Sequence, residues 1–453
     1  MATTATTAIA SIPPDYTADH LLLLVGGNPP PNAVAGRLLL RHDGYVSPLH
    51  SANTQDAAAS VRDHLTDAGL TSAENIVLCP LELYQPLDIE RAVRPAVARV
   101  SETNRIGLNY TGGTKGATKM MAVHAHRALM GLKRTPAPWF SYLNPSTRHI
   151  HVNPDGAQVR APDWPVDTAV RLTLDDVFAL HGWALSNSST EPALPRTAEV
   201  LLELATSDAV DAWLNWKRHH LRKPFAEANA RAYRKLTGNV TIEDALPLSL
   251  TLPTHPVLAA TLTSLRDEAT LDGGPVITDV EAVAARLGLS AVALLRWLDG
   301  AWLETITLMA LKRIAGACQL HDIRINLEPV FDKNERVHFE LDVAALRGYQ
   351  LFAFTCTTDV DGMMTGRPKT KLMEGYVRAQ QLGGDEARVG LVTLAKNAGD
   401  LQAQLRSGIL PEHRVYVFGR SSLSPKPEQD RSALDNLSRM LRWWIEQQSR
   451  GGA

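Results

Sequence analysis

Five residues near the middle of the first half, Thr111-Gly112-Gly113-Thr114-Lys115, have the types and order that bind a phosphate. They join a short apolar strand pattern over residues 106–110 to a helical pattern carrying Met120, Met121, Val123, Ala125 and Leu129. A helix opening in such a turn leaves its first amides unpaired, and its dipole favours negative charge there. Gly112 and Gly113 let backbone approach a ligand, Thr111 and Thr114 offer hydroxyls, and Lys115 adds a positive charge. The spacing is not that of a Walker loop. Two glycines alone serve equally well as a tight strand-to-helix connection; Lys115 among the threonines is what points to an anion. A related loop follows the apolar run 21–25: Gly26-Gly27-Asn28-Pro29-Pro30-Pro31-Asn32. Its three prolines are expected to hold one extended path, with Gly27, Asn28, Pro29 and Asn32 facing a ligand and the asparagine amides reading a base or ribose. A rigid surface turn is the alternative reading.

A second set of chemistry-bearing residues lies far down the chain, in HFELDVAALRGYQLFAFTCTTD. On a strand, Glu340 and Asp342 share a face, because side chains alternate with period two. Two neighbouring carboxylates on an apolar strand are costly unless a cation sits between them, and a divalent ion with oxygen ligands is the usual solution. Glu304, on the helical pattern just upstream, could add a third oxygen. The alternative is that Glu340 is exposed at a strand edge and Asp342 caps a turn.

These residues need elements to position them. Strand and helix patterns alternate from residue 20 to about 155, which implies a Rossmann-like, mostly parallel sheet whose ligand loops gather at the carboxyl ends of the strands. Residues 139–143 and 149–152 are expected to form a hairpin. The first domain is therefore placed at 20–160. Residues 161–300 turn mainly helical and form a connector. Within this winged-helix-like connector, 278–298 reads as two helices around Gly288-Leu289-Ser290, a helix-turn-helix cadence, but the second helix is too apolar for a DNA reader. A third domain, 301–446, shows a helix, three strands, a helix and two further strands, so the whole chain is of α/β class.

At 453 residues the chain is long enough for several domains, and its 45% apolar and 21% charged content is that of a globular protein. A net charge of −2 gives no global attraction for nucleic acid, so any such contact must come from a local patch or a metal site. The three cysteines, Cys79, Cys318 and Cys356, lack metal-ligand spacing and suit a reducing cytoplasm. No apolar run reaches the roughly 18 residues of a membrane span, and no signal peptide is recognisable at the start.

NYTGGTKGATKMMA resembles the ligand-binding turn of CARF domains (CRISPR-associated Rossmann fold), which sense cyclic oligoadenylates. Trp302-Leu303-Glu304, Glu340-Leu341-Asp342, Phe354-Thr355-Cys356-Thr357 and KLMEGYVRAQQLGG resemble the restriction-endonuclease-like half of CARF effectors. That family takes a Glu from the first helix, an Asp from the second strand, and Glu or Ser, any residue, then Lys from the third. The resemblance implies that Glu304 and Asp342, with Glu340 beside them and the Cys356 carbonyl, hold Mg²⁺ or Mn²⁺. This chain departs from the pattern, with Thr355 and Thr357 where the acid and the catalytic lysine are expected. A threonine carries no charge to orient water or stabilise a phosphoryl transition state. Lys369 or Lys371 could reach back into the site, giving a relocated lysine; a slow nuclease and a domain that only binds are the other two readings.

The resemblance thus implies a cytoplasmic, homodimeric antiviral effector of type III CRISPR systems. It would be activated by a cyclic oligoadenylate, the tetra-adenylate foremost, and would cut DNA, RNA or both. A regulatory protein with a hydrolytically degenerate nuclease domain, and a sensor that slowly cleaves its own ligand, are the competing expectations.

Overall fold

The computed structural model describes residues 12–81, 86–112, 115–145, 147–153, 163–222, 256–269, 280–331, 335–336, 339–359, 367–405, 414–425 and 431–448. The first half contains β1 (Ala18–Leu24), α1 (Pro30–Leu39), β2 (Leu40–His50), α2 (Gln55–Asp67), β3 (Cys79–Pro80), α3 (Pro86–Val97), β4 (Ile106–Asn109), α4 (Lys115–Met130), β5 (Trp139–Asn144), β6 (His149–Asn153) and β7 (Asp163–Pro165). There follow α5 (Leu174–Leu180), β8 (Trp183–Ser189), α6 (Pro195–Thr206), α7 (Val210–Trp216), α8 (Pro256–Glu268), α9 (Val280–Arg286), α10 (Ala291–Arg296) and α11 (Trp302–Cys318). The last part holds β9 (His321–Phe331), β10 (Glu335–Arg336), β11 (Leu341–Arg347), β12 (Gln350–Thr357), α12 (Arg367–Gly383), β13 (Arg388–Thr393), α13 (Ala398–Gln404), β14 (Val415–Phe418), α14 (Arg420–Leu423) and α15 (Ala433–Gln447).

Two mixed sheets organise these elements. The first has the order β3-β2-β1-β4-β5-β6-β7, parallel from β3 to β5 and antiparallel beyond. β1, in the middle of the parallel part, is buried on both faces. Leu21 and Leu23 join the core with α1 and α2, while Leu22 and Leu24 join the core with α3 and α4. Strict alternation sends a continuous apolar run to two different helix layers. The second sheet has the order β10-β9-β11-β12-β13-β14, with β8 pairing β9. One of its faces packs on α11, α15 and the helices of the connector; the other shares a single core with the α1, α2 and α5 side of the first sheet.

Several expectations are corrected. Pro30 and Pro31 do not extend the loop; they are the first residues of α1, where proline's missing N–H costs nothing and its fixed φ suits the helix. The stretch after residue 161, expected to be mainly helical, carries β7, which extends the first sheet, and β8, which edges the second. Polar positions in WALSNSS hid β8, because an edge strand needs only one apolar face. The strand expected to carry both Glu340 and Asp342 is β11 and starts at Leu341, so Glu340 lies just before it rather than within it.

Candidate functional site

The first site forms where the loop after β1 meets the turn after β4. A Cβ on Gly112 would lie 2.2 Å from the Leu24 carbonyl oxygen, 2.6 Å from Asn32 Oδ1 and 2.8 Å from the Gly26 nitrogen, so only glycine lets the loops touch. Asn32, buried in the first turn of α1, donates from Nδ2 to the Leu24 carbonyl at 2.9 Å, and its Oδ1 is buried without a partner. An unpaired buried acceptor is costly and marks a place where a donor is wanted. Thr111 is fixed by its neighbours: its hydroxyl oxygen accepts from the Leu143 N–H at 2.8 Å and its own N–H donates to Asn109 Oδ1 at 3.2 Å. The acceptor side of that hydroxyl, expected to face a ligand, therefore serves the sheet. Pro29 closes the loop onto the helix by accepting from the Asn32 and Ala33 amides. Gly27 is exposed with open space around it, whereas Asn28 is half-buried with its Oδ1 unpartnered. Gly113 and Thr114 lie outside the described residues, and Lys115 is described as the start of α4 without its side chain.

The second site lies where β11 begins and β12 ends. The antiparallel register sets Val343 opposite Phe354, so Asp342 stands across from Thr355. Along β12, Phe352, Phe354 and Cys356 face the core under α11, and Leu351 and Ala353 face the core under α12. Where the second face turns polar, at Thr355, the site begins. Asp342 is buried, and its Oδ2 accepts from the Cys356 N–H at 2.7 Å, the Thr355 hydroxyl at 3.2 Å and Lys371 Nζ at 3.3 Å. Lys371 also donates to the Cys356 carbonyl at 2.9 Å. Lys371, rather than Lys369, is the lysine that reaches this site, from the first turns of α12.

Electrostatics tie Glu304 and Glu340 to the same cluster. Burial, then the charges of Asp342 and Glu340, push the Glu304 carboxyl well above the usual carboxylate range. Glu340 keeps contact with solvent at the mouth of the site, yet its partly desolvated setting and the charges of Asp342 and Glu328 push it up to about 7. Solvent access limits how much that crowding can cost. Burial alone would lower Lys371, but Asp342 and Glu304 outweigh it and the ammonium is held charged. The charges of Asp342, Glu304 and Glu340 thus act on one another and on Lys371. Among the described residues no three His, Cys, Asp or Glu side chains close into a ready cage. Lys371 Nζ instead lies between the Asp342 carboxylate and the Cys356 carbonyl, bonded to both. The Cys356 thiol turns away to meet the Thr307 hydroxyl at 3.4 Å, leaving only its carbonyl for the site. Thr357 is buried and accepts from the Asp359 N–H at 3.3 Å.

Beside this site is a network that the sequence did not reveal. Lys217 is buried; it donates to the Thr358 hydroxyl at 2.6 Å and lies 3.6 Å from Asp299. Arg222 pairs with the same Asp299 at 2.6 Å and with Asp359 at 3.2 Å. Desolvation lowers Lys217 to about 8 against the pull of these carboxylates. The network fastens the connector to the end of β12, across separations of more than a hundred residues that no local pattern encodes.

No protein-family model and no curated protein matches the sequence. Solved structures do match over nearly its whole length. Protein VC1899 from Vibrio cholerae superposes with a TM-score of 0.64 at 18% identity, covering 96% of this chain and 99% of that one. Can2 from Sulfobacillus thermosulfidooxidans, solved in complex with cyclic tetra-adenylate, superposes with a TM-score of 0.61 at 16% identity, covering 94% and 99%. The chain therefore has the two-sheet α/β fold of these proteins. No helix among the described residues is long and apolar enough to cross a membrane.

Proposed function

We propose that the protein is a CARF-type effector of type III CRISPR defence, a nuclease switched on by a cyclic oligoadenylate and dependent on a divalent metal. The observation that carries this reading is Lys371 Nζ seated between the Asp342 carboxylate and the Cys356 carbonyl, in a chain 94% of which superposes on a protein solved with cyclic tetra-adenylate. A cation is already accommodated by these oxygens, so the donor set fits a divalent ion. Asp342, the Cys356 carbonyl and Glu304 would hold Mg²⁺ or Mn²⁺, with Glu340 at the mouth. The bound metal would supply Lewis acidity toward a phosphoryl oxygen and an acidified water. Lys371 takes the part of the lysine missing at Thr357: its ammonium stabilises charge developing on the phosphate and orients the attacking water. The ligand would lie where Gly112, Asn32 and Asn28 meet, with its phosphates at the opening of α4. A cyclic ligand with two-fold symmetry suits a homodimer with an isologous interface.

The test incubates the purified protein with cyclic tetra- or hexa-adenylate, Mn²⁺, and supercoiled plasmid or single-stranded RNA. Ligand-dependent products that vanish in Asp342→Ala are expected. Cleavage that survives Asp342→Ala would overturn the assignment of the second sheet as the nuclease. Ligand binding without products under every condition would favour the regulatory reading in which Thr357 marks a lost activity.

A further inference from the structure

The two sites are joined by one helix. α12 carries Lys371 near its start, in the carboxylate cluster, and ends at Gly383-Gly384 against the ligand loop of the first sheet. Gly384 lies thirteen positions after Lys371, so the helix spans about 20 Å between them. Gly384 adopts a left-handed φ of +57°, and a Cβ there would lie 2.0 Å from Asn28 Nδ2. The Asn28 amide is thus packed directly on the Gly384 backbone. The helix end is fastened at two more points: His181 Nε2 bonds the Leu382 carbonyl at 3.0 Å, and a Cβ on Gly383 would approach Leu351 to 3.0 Å. Midway, Gly375 lies close enough to Thr355 for a Cβ to sit 3.6 Å away, and Leu372, Ala379 and Leu382 are buried in the core shared by both sheets. A helix packed this closely moves as a unit, since packed cores shift between discrete arrangements rather than bending.

We propose that α12 is the transmission between ligand and nuclease, with Asn28 as its trigger. This rests on the function proposed above. In the state described, Asn28 is seated on Gly384 and Lys371 fills the cation's place, which keeps the metal out. The unpartnered Asn28 Oδ1 makes the ligand a better partner than Gly384 is. A ligand that hydrogen-bonds this amide draws it off Gly384, releases the end of α12, and lets Lys371 leave the oxygens of Asp342 and Cys356. Metal and ligand then strengthen each other's binding by the same factor, as linkage requires.

The test is a calorimetric Mn²⁺ titration with and without cyclic tetra-adenylate, using Asp342→Ala to identify the site titrated. In the wild type the ligand should tighten Mn²⁺ by roughly 5-fold or more, the lower end of ordinary allosteric coupling. Gly384→Ala, whose Cβ cannot coexist with the seated Asn28, should show the tightened Mn²⁺ affinity without ligand. Asn28→Ala removes the contact without backbone strain and should do the same, which covers the case of Gly384→Ala failing to fold. Wild-type Mn²⁺ affinity in both variants, or no effect of the ligand on Mn²⁺ in the wild type while it still activates cleavage, would overturn the link and leave the proposed function standing. If the wild type neither binds cyclic tetra-adenylate nor cleaves, the proposed function falls, and the link is decided by Mn²⁺ affinity in the two variants alone.

Discussion

The two candidate sites are built on opposite principles. In the first sheet the pocket is made of backbone and small side chains in loops at the carboxyl ends of parallel strands, and its fit depends on Gly112 having no Cβ. In the second sheet the pocket is made of charged side chains brought from a helix, a strand entrance, a strand and a second helix, and its fit depends on balancing charges. A loop pocket is specified by a few contiguous residues. A charge cluster is specified by register and packing. Damage should therefore be steric and local at the first site, and electrostatic and catalytic at the second.

The largest expected effect tests that contrast at the second site. Lys371→Ala should lower ligand-dependent cleavage by roughly 10²- to 10⁴-fold, the usual contribution of a positioned acid/base or charge stabiliser, without weakening cyclic tetra-adenylate binding. Single-turnover kinetics alongside calorimetry would measure both. A parallel loss of ligand affinity would mean that the charge cluster is needed for the pocket itself.

A buried titratable group sets the next effect, in the first sheet. His20 is fully buried, bonds the Ser47 hydroxyl through Nε2 at 2.8 Å, and is lowered to about 4 by desolvation and then by Arg99 and Arg134. Its folded value lies below the unfolded value of 6.5, so between those limits the unfolded chain binds a proton that the folded chain does not. Stability present above pH 6.5 should fall as pH drops, with His20 accounting for about 3 kcal/mol by pH 4. Urea denaturation of the wild type and His20→Gln across this range should show a flatter pH dependence in the variant. Equal slopes would mean that His20 protonates normally in the fold.

Gly112→Ala sharpens the comparison on the steric side. Its Cβ would meet backbone at 2.2 Å, so the two loops must part. The expected cost is about 1 to 3 kcal/mol of overpacking, together with weaker cyclic tetra-adenylate binding. Gly27→Ala, with nothing within 4 Å, should change stability by less than about 0.5 kcal/mol. Similar losses in both would refute the steric account. The smallest effect is expected from Thr357→Lys. With Lys371 already placed, a second lysine should alter cleavage by no more than ~3-fold, a negligible change in transition-state free energy. A large gain measured under the same assay would show that Lys371 does not do the lysine's work.

The sequence by itself determined what is local. The apolar run 21–25 reads as a strand buried on both faces, and Gly112 as a close backbone approach ahead of a helix. Spacing of two also kept Glu340 and Asp342 near one another, although the strand begins one residue after Glu340. Tertiary structure decided the rest. Whether Lys369 or Lys371 reached the carboxylates depended on how α12 packs on β12 and β13, because the two positions point in different directions around a helix. β8 became a strand only by finding β9 as a partner, and Lys217 became a buried ion pair only by meeting Asp299 and Thr358. The contact between Asn28 and Gly384 joins residues more than three hundred positions apart, and nothing in either neighbourhood encodes it. Local patterns fix conformation because backbone sterics and periodicity act over a few residues. Charge partners and inter-sheet contacts are chosen by packing, which acts only once the chain has folded.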